Sequence, residues 1–257
     1  MAKPTPWKDE YTLLCEKCGY VVEGLDIAGP CPECGTPIEE SLPERRIGTP
    51  WQQEPGVKSL VRTWWMTLRH PKKTLDVMRF DAKSSLSPLA DSLTIIVLIC
   101  VLTLVAKPTF NVIELLLGAF LFLLVGLVIW ACFYALSGIE ALGLQLFGSI
   151  QGWRIGPQIG WAVAGHGAVG WLFTGLIWAA GWRLHRLIMY MNPTSNDLEL
   201  RRQLARHINQ IYKPAFLIGL VVGLIIFQLF AYLGLRRCKY ANRIRPQESD
   251  LDANTCP

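Results

Sequence analysis

Cys15-Glu-Lys-Cys18-Gly19 and Cys31-Pro-Glu-Cys34-Gly35 place four thiols in two matching turns of a 257-residue chain. Thiolates in a C-x-x-C turn converge on one soft cation, and the glycine that follows relieves the turn so that backbone amides can face the sulfurs. The spacing C-x2-C-x12-C-x2-C reads as a zinc ribbon, with Cys15, Cys18, Cys31 and Cys34 as ligands of a structural Zn2+. Four protein ligands leave no open position for a catalytic water, which makes such an ion a folding element. Iron held by four thiolates and a pair of disulfides are the alternatives. No redox-partner site supports iron. Residues 1–10 are polar, without the apolar core of a signal peptide, so a reducing compartment is expected and disulfides are disfavoured.

Other residues able to do chemistry lie inside apolar stretches: Asp91, Glu114, Glu140 and His166. Ionisable groups within a membrane call for a functional hypothesis. Asp91 and Glu114 stand near the ends of their stretches, where they can reach headgroups. His166 stands well inside, in Ala164-Gly-His-Gly-Ala168, where a hydrogen bond to a neighbouring helix is the plain reading and a polar transport path with Glu140 the sharper one. No H-E-x-x-H or G-x-S-x-G pattern occurs, so no covalent or metal catalysis is legible and a non-enzymatic role is expected.

The elements that carry these residues begin with the ribbon, 9–40, where Tyr20-Val21-Val22 predicts a short strand and residues 24–30 a turn. Residues 41–58, rich in proline and glycine, predict an extended linker. In the segment 59–83, Leu60, Val61, Trp64, Trp65 and Leu68 share one helical face and Arg62 and Arg69 the other, as in a helix lying on a membrane surface; Pro71 stops or kinks it. The chain is 51% hydrophobic with ten tryptophans, and its apolar residues gather into runs near 89–106, 112–136, 159–182 and 215–235. Runs of about 20 residues cross a hydrocarbon core of about 30 Å. Four of them predict a multi-span helical bundle over 89–236, with 138–156 as an interfacial helix or a fifth span and 237–257 as a tail. Gly156, Gly160, Ala164 and Ala168, and then Gly219 and Gly223, recur at fourfold spacing, which suits close helix contact within one chain or with a second copy through Gly219 and Gly223.

Charge sets the orientation. Lys58, Arg62, Arg69, Lys72, Lys73, Arg79 and Lys83 precede the first run, against Lys107 alone after it, which predicts a cytoplasmic amino-terminal side. The loop 183–213 and the tail 236–245 are both basic, so four spans and a cytoplasmic tail compete with five and an external one. The ribbon is acidic, with Asp9, Glu10, Glu16, Glu23, Asp26 and Glu33 among its residues and Lys17 its one cation between 9 and 44. Nucleic acid needs the opposite sign. Solvation or docking to a basic protein surface remains.

Cys31-Pro-Glu-Cys-Gly-Thr-Pro-Ile38, Ser41-Leu-Pro-Glu-Arg-Arg46, Pro50-Trp51, Arg69-His-Pro-Lys-Lys-Thr-Leu75 and Gly165-His-Gly-Ala-Val-Gly-Trp171 together resemble bacterial membrane proteins that join a zinc ribbon to a Yip-type domain. That resemblance implies a helical bundle, usually of five spans, a cytoplasmic amino terminus and no enzymatic role. The resulting expectation is a mostly α membrane protein of the bacterial inner membrane whose small β zinc ribbon docks a protein partner in a Yip-like organising or scaffold role. The alternative is a small-solute or ion transporter with a path near His166 and Glu140.

Overall fold

The computed structural model describes residues 9–80, 82–105, 112–191 and 198–243. The tail beyond 243, with Cys256, and the side chain of Glu114 lie outside the described part. The described helices are, in chain order, α1 Pro50–Gln53, α2 Val57–Arg69, α3 Pro71–Val77, α4 Ala82–Val105, α5 Val112–Gln151, α6 Pro157–Gly167, α7 Val169–Met191 and α8 Leu198–Arg237.

Among the described residues no strand forms, which corrects the expected β ribbon. The strand at Tyr20-Val21-Val22 shrinks to one antiparallel bridge, Leu14 with Val21, and the second knuckle repeats it at the same offset, Pro30 with Pro37. Prolines lack the N–H that a longer ladder needs, and Gly24, at φ 83°, turns the chain just after Val22. Residues 41–58 are not extended either. They hold the end of one 3-10 turn, Ile38–Ser41, a second at Pro43–Arg45 and α1, and they bury Ser41, Arg46, Thr49 and Trp51.

The chain divides into two compact units. The first comprises Met1–Pro88, Ile139–His166 and Phe230–Pro257. Its core packs Leu75, Met78 and Phe80 with Leu144, Ile159, Val163, Phe230 and Cys238. The apolar face expected of 59–83 is divided here: Leu60 and Trp64 of α2 are buried with Thr63 and Thr67, while Val61, Trp65 and Leu68 stay exposed. Pro71 opens α3 directly after His70 ends α2, as its missing N–H allows at a helix start.

The second unit comprises Leu89–Gly138 and Gly167–Leu229. Trp171 is its keystone, stacked on Phe133 at 4.8 Å and on Phe227 at 5.1 Å, with its indole N–H donating to Ser137 Oγ at 3.1 Å. Stacked pairs of this kind add about 1 kcal/mol each to the burial of the rings.

Helix α5 runs unbroken through Ser137-Gly138, so the residues from 138 to Gln151 continue the preceding helix and do not start a separate one. Gly138 costs about 1 kcal/mol within a helix, a penalty that burial of Ala141 and Leu144 one and two turns later outweighs. The helix ends where Gly152 takes φ 70° and the Trp153 N–H reaches back to the Gly148 carbonyl at 2.8 Å, a left-handed cap. The stretch 159–182 is likewise two helices, parted at Ala168.

Among the described residues three helical stretches are long and apolar enough to cross a membrane, Leu123–Gln151, Pro157–Leu184 and Pro214–Arg237, and α4 adds a shorter one, Pro88–Val101. In the first of these Leu123, Leu127 and Val128 stay 68%, 63% and 62% exposed. Apolar surface that continuous suits a lipid environment.

Candidate metal centre

Each knuckle is shaped by its own backbone. The Gly19 N–H donates to the Cys15 carbonyl at 2.8 Å and the Gly35 N–H to the Cys31 carbonyl at 2.9 Å. Both glycines adopt positive φ, 83° and 69°, which a side chain would resist. At Gly19 there is a second reason, because a Cβ would stand 2.7 Å from the Tyr240 ring.

The turns bring the predicted residues together. The Sγ atoms of Cys15, Cys18, Cys31 and Cys34 lie within 4.8 Å of one another, with Cys15 to Cys34 at 3.5 Å and Cys18 to Cys31 at 3.6 Å. A tetrahedral ion with metal–sulfur bonds of about 2.3 Å requires sulfurs about 3.8 Å apart. A disulfide requires about 2.05 Å, and every described cysteine is free. Val22 and Ile38 close the apolar side of the cluster. Without a cation the thiols are unequal: Thr36, whose Oγ1 lies 3.3 Å from Cys34 Sγ, draws Cys34 down to about 6, whereas burial pushes Cys18 up to about 12. A dication reverses the second effect, since a coordinated thiol gives up its proton.

What sequence reasoning missed is the polar network beneath the knuckles. Glu16, between Cys15 and Lys17, takes a two-pronged contact from Arg46, Nε at 3.0 Å and Nη2 at 2.6 Å. Arg46 is 5% exposed, its other nitrogen caps α3 through the Leu75 carbonyl at 2.7 Å, and its guanidinium stacks on Phe80. Burial alone would lower the Arg46 pKa, but Glu16 holds it above the usual arginine value. The same carboxylate accepts the Asn242 N–H at 2.9 Å.

Asn242 spends every polar valence of its side chain. Oδ1 accepts from the Leu14 N–H at 3.0 Å and from Arg154, and Nδ2 donates to the carbonyls of Leu14 at 2.7 Å and Ser41 at 2.6 Å. Arg154 also donates to the carbonyls of Thr12 and Ala241. Burial, then the neighbouring Arg243, lowers Arg154 to about 10, still charged at neutral pH. Arg243 in turn meets Glu10 at 2.7 Å and lies over Gly156, where any Cβ would strike it. Residues 238–243, expected as free tail, are thus bonded into the first knuckle. The available signal was weak: three arginines and an asparagine flanked by apolar residues in segments that composition marks as loops.

The remaining candidates part ways. His166 is buried, with Nδ1 2.8 Å from the Ala162 carbonyl and Nε2 3.1 Å from Thr49 Oγ1. The carbonyl requires a proton on Nδ1, so in the neutral ring Nε2 accepts from the threonine. Both nitrogens are engaged and neither is open to a passing ion. Asp91 is exposed and Glu140 half-buried. Gly219 and Gly223, which suited contact with a second copy, are occupied within the second unit: a Cβ at Gly223 would stand 2.7 Å from the Gly170 carbonyl, and one at Gly219 3.2 Å from that of Thr174. Gly160 in the first unit sits against the Ala141 carbonyl in the same way.

No protein-family model, no curated protein and no solved structure matches the chain.

Proposed function

We propose that this chain is a non-enzymatic integral membrane protein whose cysteine head, folded around one structural Zn2+, docks a basic and partly apolar protein surface. The observation that carries the reading is the filled coordination sphere, four convergent sulfurs with no position left for chemistry. Zinc is preferred to iron because no redox-partner site is legible among the described residues. The outer face of the head supports docking: Tyr20, Leu25 and Ile27 are exposed at 40%, 40% and 51%, and the exposed carboxylates Glu23, Asp26 and Glu33 flank them. An apolar centre with a charged rim is how specific protein contacts are built.

The head belongs on the cytoplasmic side of a bacterial inner membrane, by the basic segment ahead of α4. Residues 238–243, after the last apolar helix, bond to residues 10–16, before the first. Two segments in contact share a side of the bilayer, which supports an even number of crossings, four with α4 counted, where the Yip-type resemblance implies five. A scaffold or organising role of that family's kind fits a head bonded to the residues that follow α8.

The test uses the full chain in detergent. Elemental analysis is expected to give about one zinc per chain, absent from Cys15→Ser/Cys34→Ser; iron or no metal overturns the assignment. Cross-linking in cells is expected to capture a protein that Glu23→Lys/Asp26→Lys/Ile27→Ser loses while keeping its zinc. Identical capture by both overturns docking.

A further inference from the structure

A half-open cavity of about 670 Å3 in the first unit is walled by the first knuckle, the segment 36–46, α3 and the end of α8. Its three carboxylates are each matched to an arginine: Glu16 to Arg46 at 2.6 Å, Asp76 to Arg237 at 2.7 Å and Glu40 to Arg45 at 3.8 Å. Lys17, Lys73, Arg236 and Lys239 line the same cavity, and none of the four has a carboxylate partner among the described residues. Arg236 reaches the Tyr232 hydroxyl at 3.2 Å, and the Lys239 ammonium lies over the Tyr240 ring at 5.2 Å. The α8 dipole accounts for cations at its carboxyl end, Arg236 among them. It does not account for three lysines brought from the first knuckle, from α3 and from beyond α8 to one cavity, where they raise each other's energy unless an anion sits between them.

We propose that this cavity binds the phosphate of an anionic membrane lipid. Ammonium groups on flexible stems suit a tetrahedral oxyanion approached from several sides, and an arginine at the rim can add a two-pronged contact. The source follows from position. Arg236 and Arg237 close the apolar stretch Pro214–Arg237, so one wall of the cavity is at the level where that stretch, once in a bilayer, meets the headgroups. The inference rests on the membrane reading of that stretch and is independent of the docking partner.

Calorimetric titration of the full chain in neutral detergent tests it, with dioctanoyl phosphatidylglycerol, dioctanoyl phosphatidylcholine and inorganic phosphate as probes. Phosphatidylglycerol is expected to bind at least tenfold more tightly than either of the others, and binding should weaken steeply between low and high salt. Lys17→Gln/Lys73→Gln/Lys239→Gln is expected to lose at least tenfold and Lys73→Gln alone about threefold, with Lys58→Gln/Lys72→Gln unchanged. Should the triple variant lose its zinc, and so its fold, the single variant decides. Equal binding of the two lipids, or equal loss in the control, overturns the site. Phosphate binding as tightly as phosphatidylglycerol assigns a free phosphate and overturns the lipid. Alkaline extraction from membranes checks the membrane reading separately, because the detergent titration does not depend on its outcome.

Discussion

Glu16→Gln tests the coupling between the metal centre and the rest of the first unit. The side chain of Arg46 is 6% exposed and that of Glu16 20%. Removing one partner of a buried ion pair costs about 3 to 5 kcal/mol, because the other charge stays buried without compensation. The partial exposure of Glu16 and the acceptor that glutamine keeps put this variant at the lower end, about 3 kcal/mol. The knuckle is too small to fold by apolar burial, so free energy lost from its folded form is lost from metal binding. If all of it is transmitted, zinc affinity falls about a hundredfold, at 1.4 kcal/mol per tenfold. Competition against a chelator of known affinity, on the full chain in detergent, reads this ratio directly. Glu23→Gln, an exposed carboxylate of the same head, is the control and should change affinity by less than about twofold. A cycle with Arg46→Gln should return a coupling of about 2 kcal/mol. If Glu16→Gln and Glu23→Gln retain zinc equally, or the cycle closes near zero, the network does not hold the knuckle and the reasoning fails.

Asn242→Leu strands the Leu14 N–H and the carbonyls of Leu14 and Ser41, each worth about 1 to 3 kcal/mol when buried unpaired; limited proteolysis should then cut near residue 238, where the native chain resists. Gly223→Ala forces a methyl group against the Gly170 carbonyl and Thr174 and should cost about 1 to 3 kcal/mol, seen as a lower thermal midpoint with zinc content unchanged. Cys238 is fully buried and its pKa is pushed up to about 12 by that burial, so iodoacetamide at pH 8 should leave it unmodified until the chain is denatured. The sign follows: with its folded pKa raised, the stabilisation that depends on protonated Cys238 is complete below the ordinary thiol range and lost as pH climbs from about 9 to about 12.

The metal ligands were legible because a C-x-x-C-G turn is local: two thiols three residues apart converge by turn geometry alone, and a second copy doubles the signal. The apolar stretches were legible for a related reason, since composition over about 20 residues decides whether a helix can stay in lipid. The ribbon strands were misread because Val and Tyr favour extended backbone, whereas the prolines at 30 and 37 and the turn at Gly24 leave no length for a ladder. The end of the helix after 136 was misread because Ser-Gly looks like a break, and only the burial of Ala141 and Leu144 shows why the helix continues.

By itself, the sequence determined which residues can hold a metal and which stretches are apolar enough to cross a membrane, properties set by neighbours a few positions away. Only the tertiary structure decided that Glu16 closes on Arg46, that Asn242 clasps Leu14 across 228 positions and that Gly219 and Gly223 face α7. A charged or amide side chain looks the same in sequence whether solvated or buried, and its meaning is settled by the partner that folding brings to it.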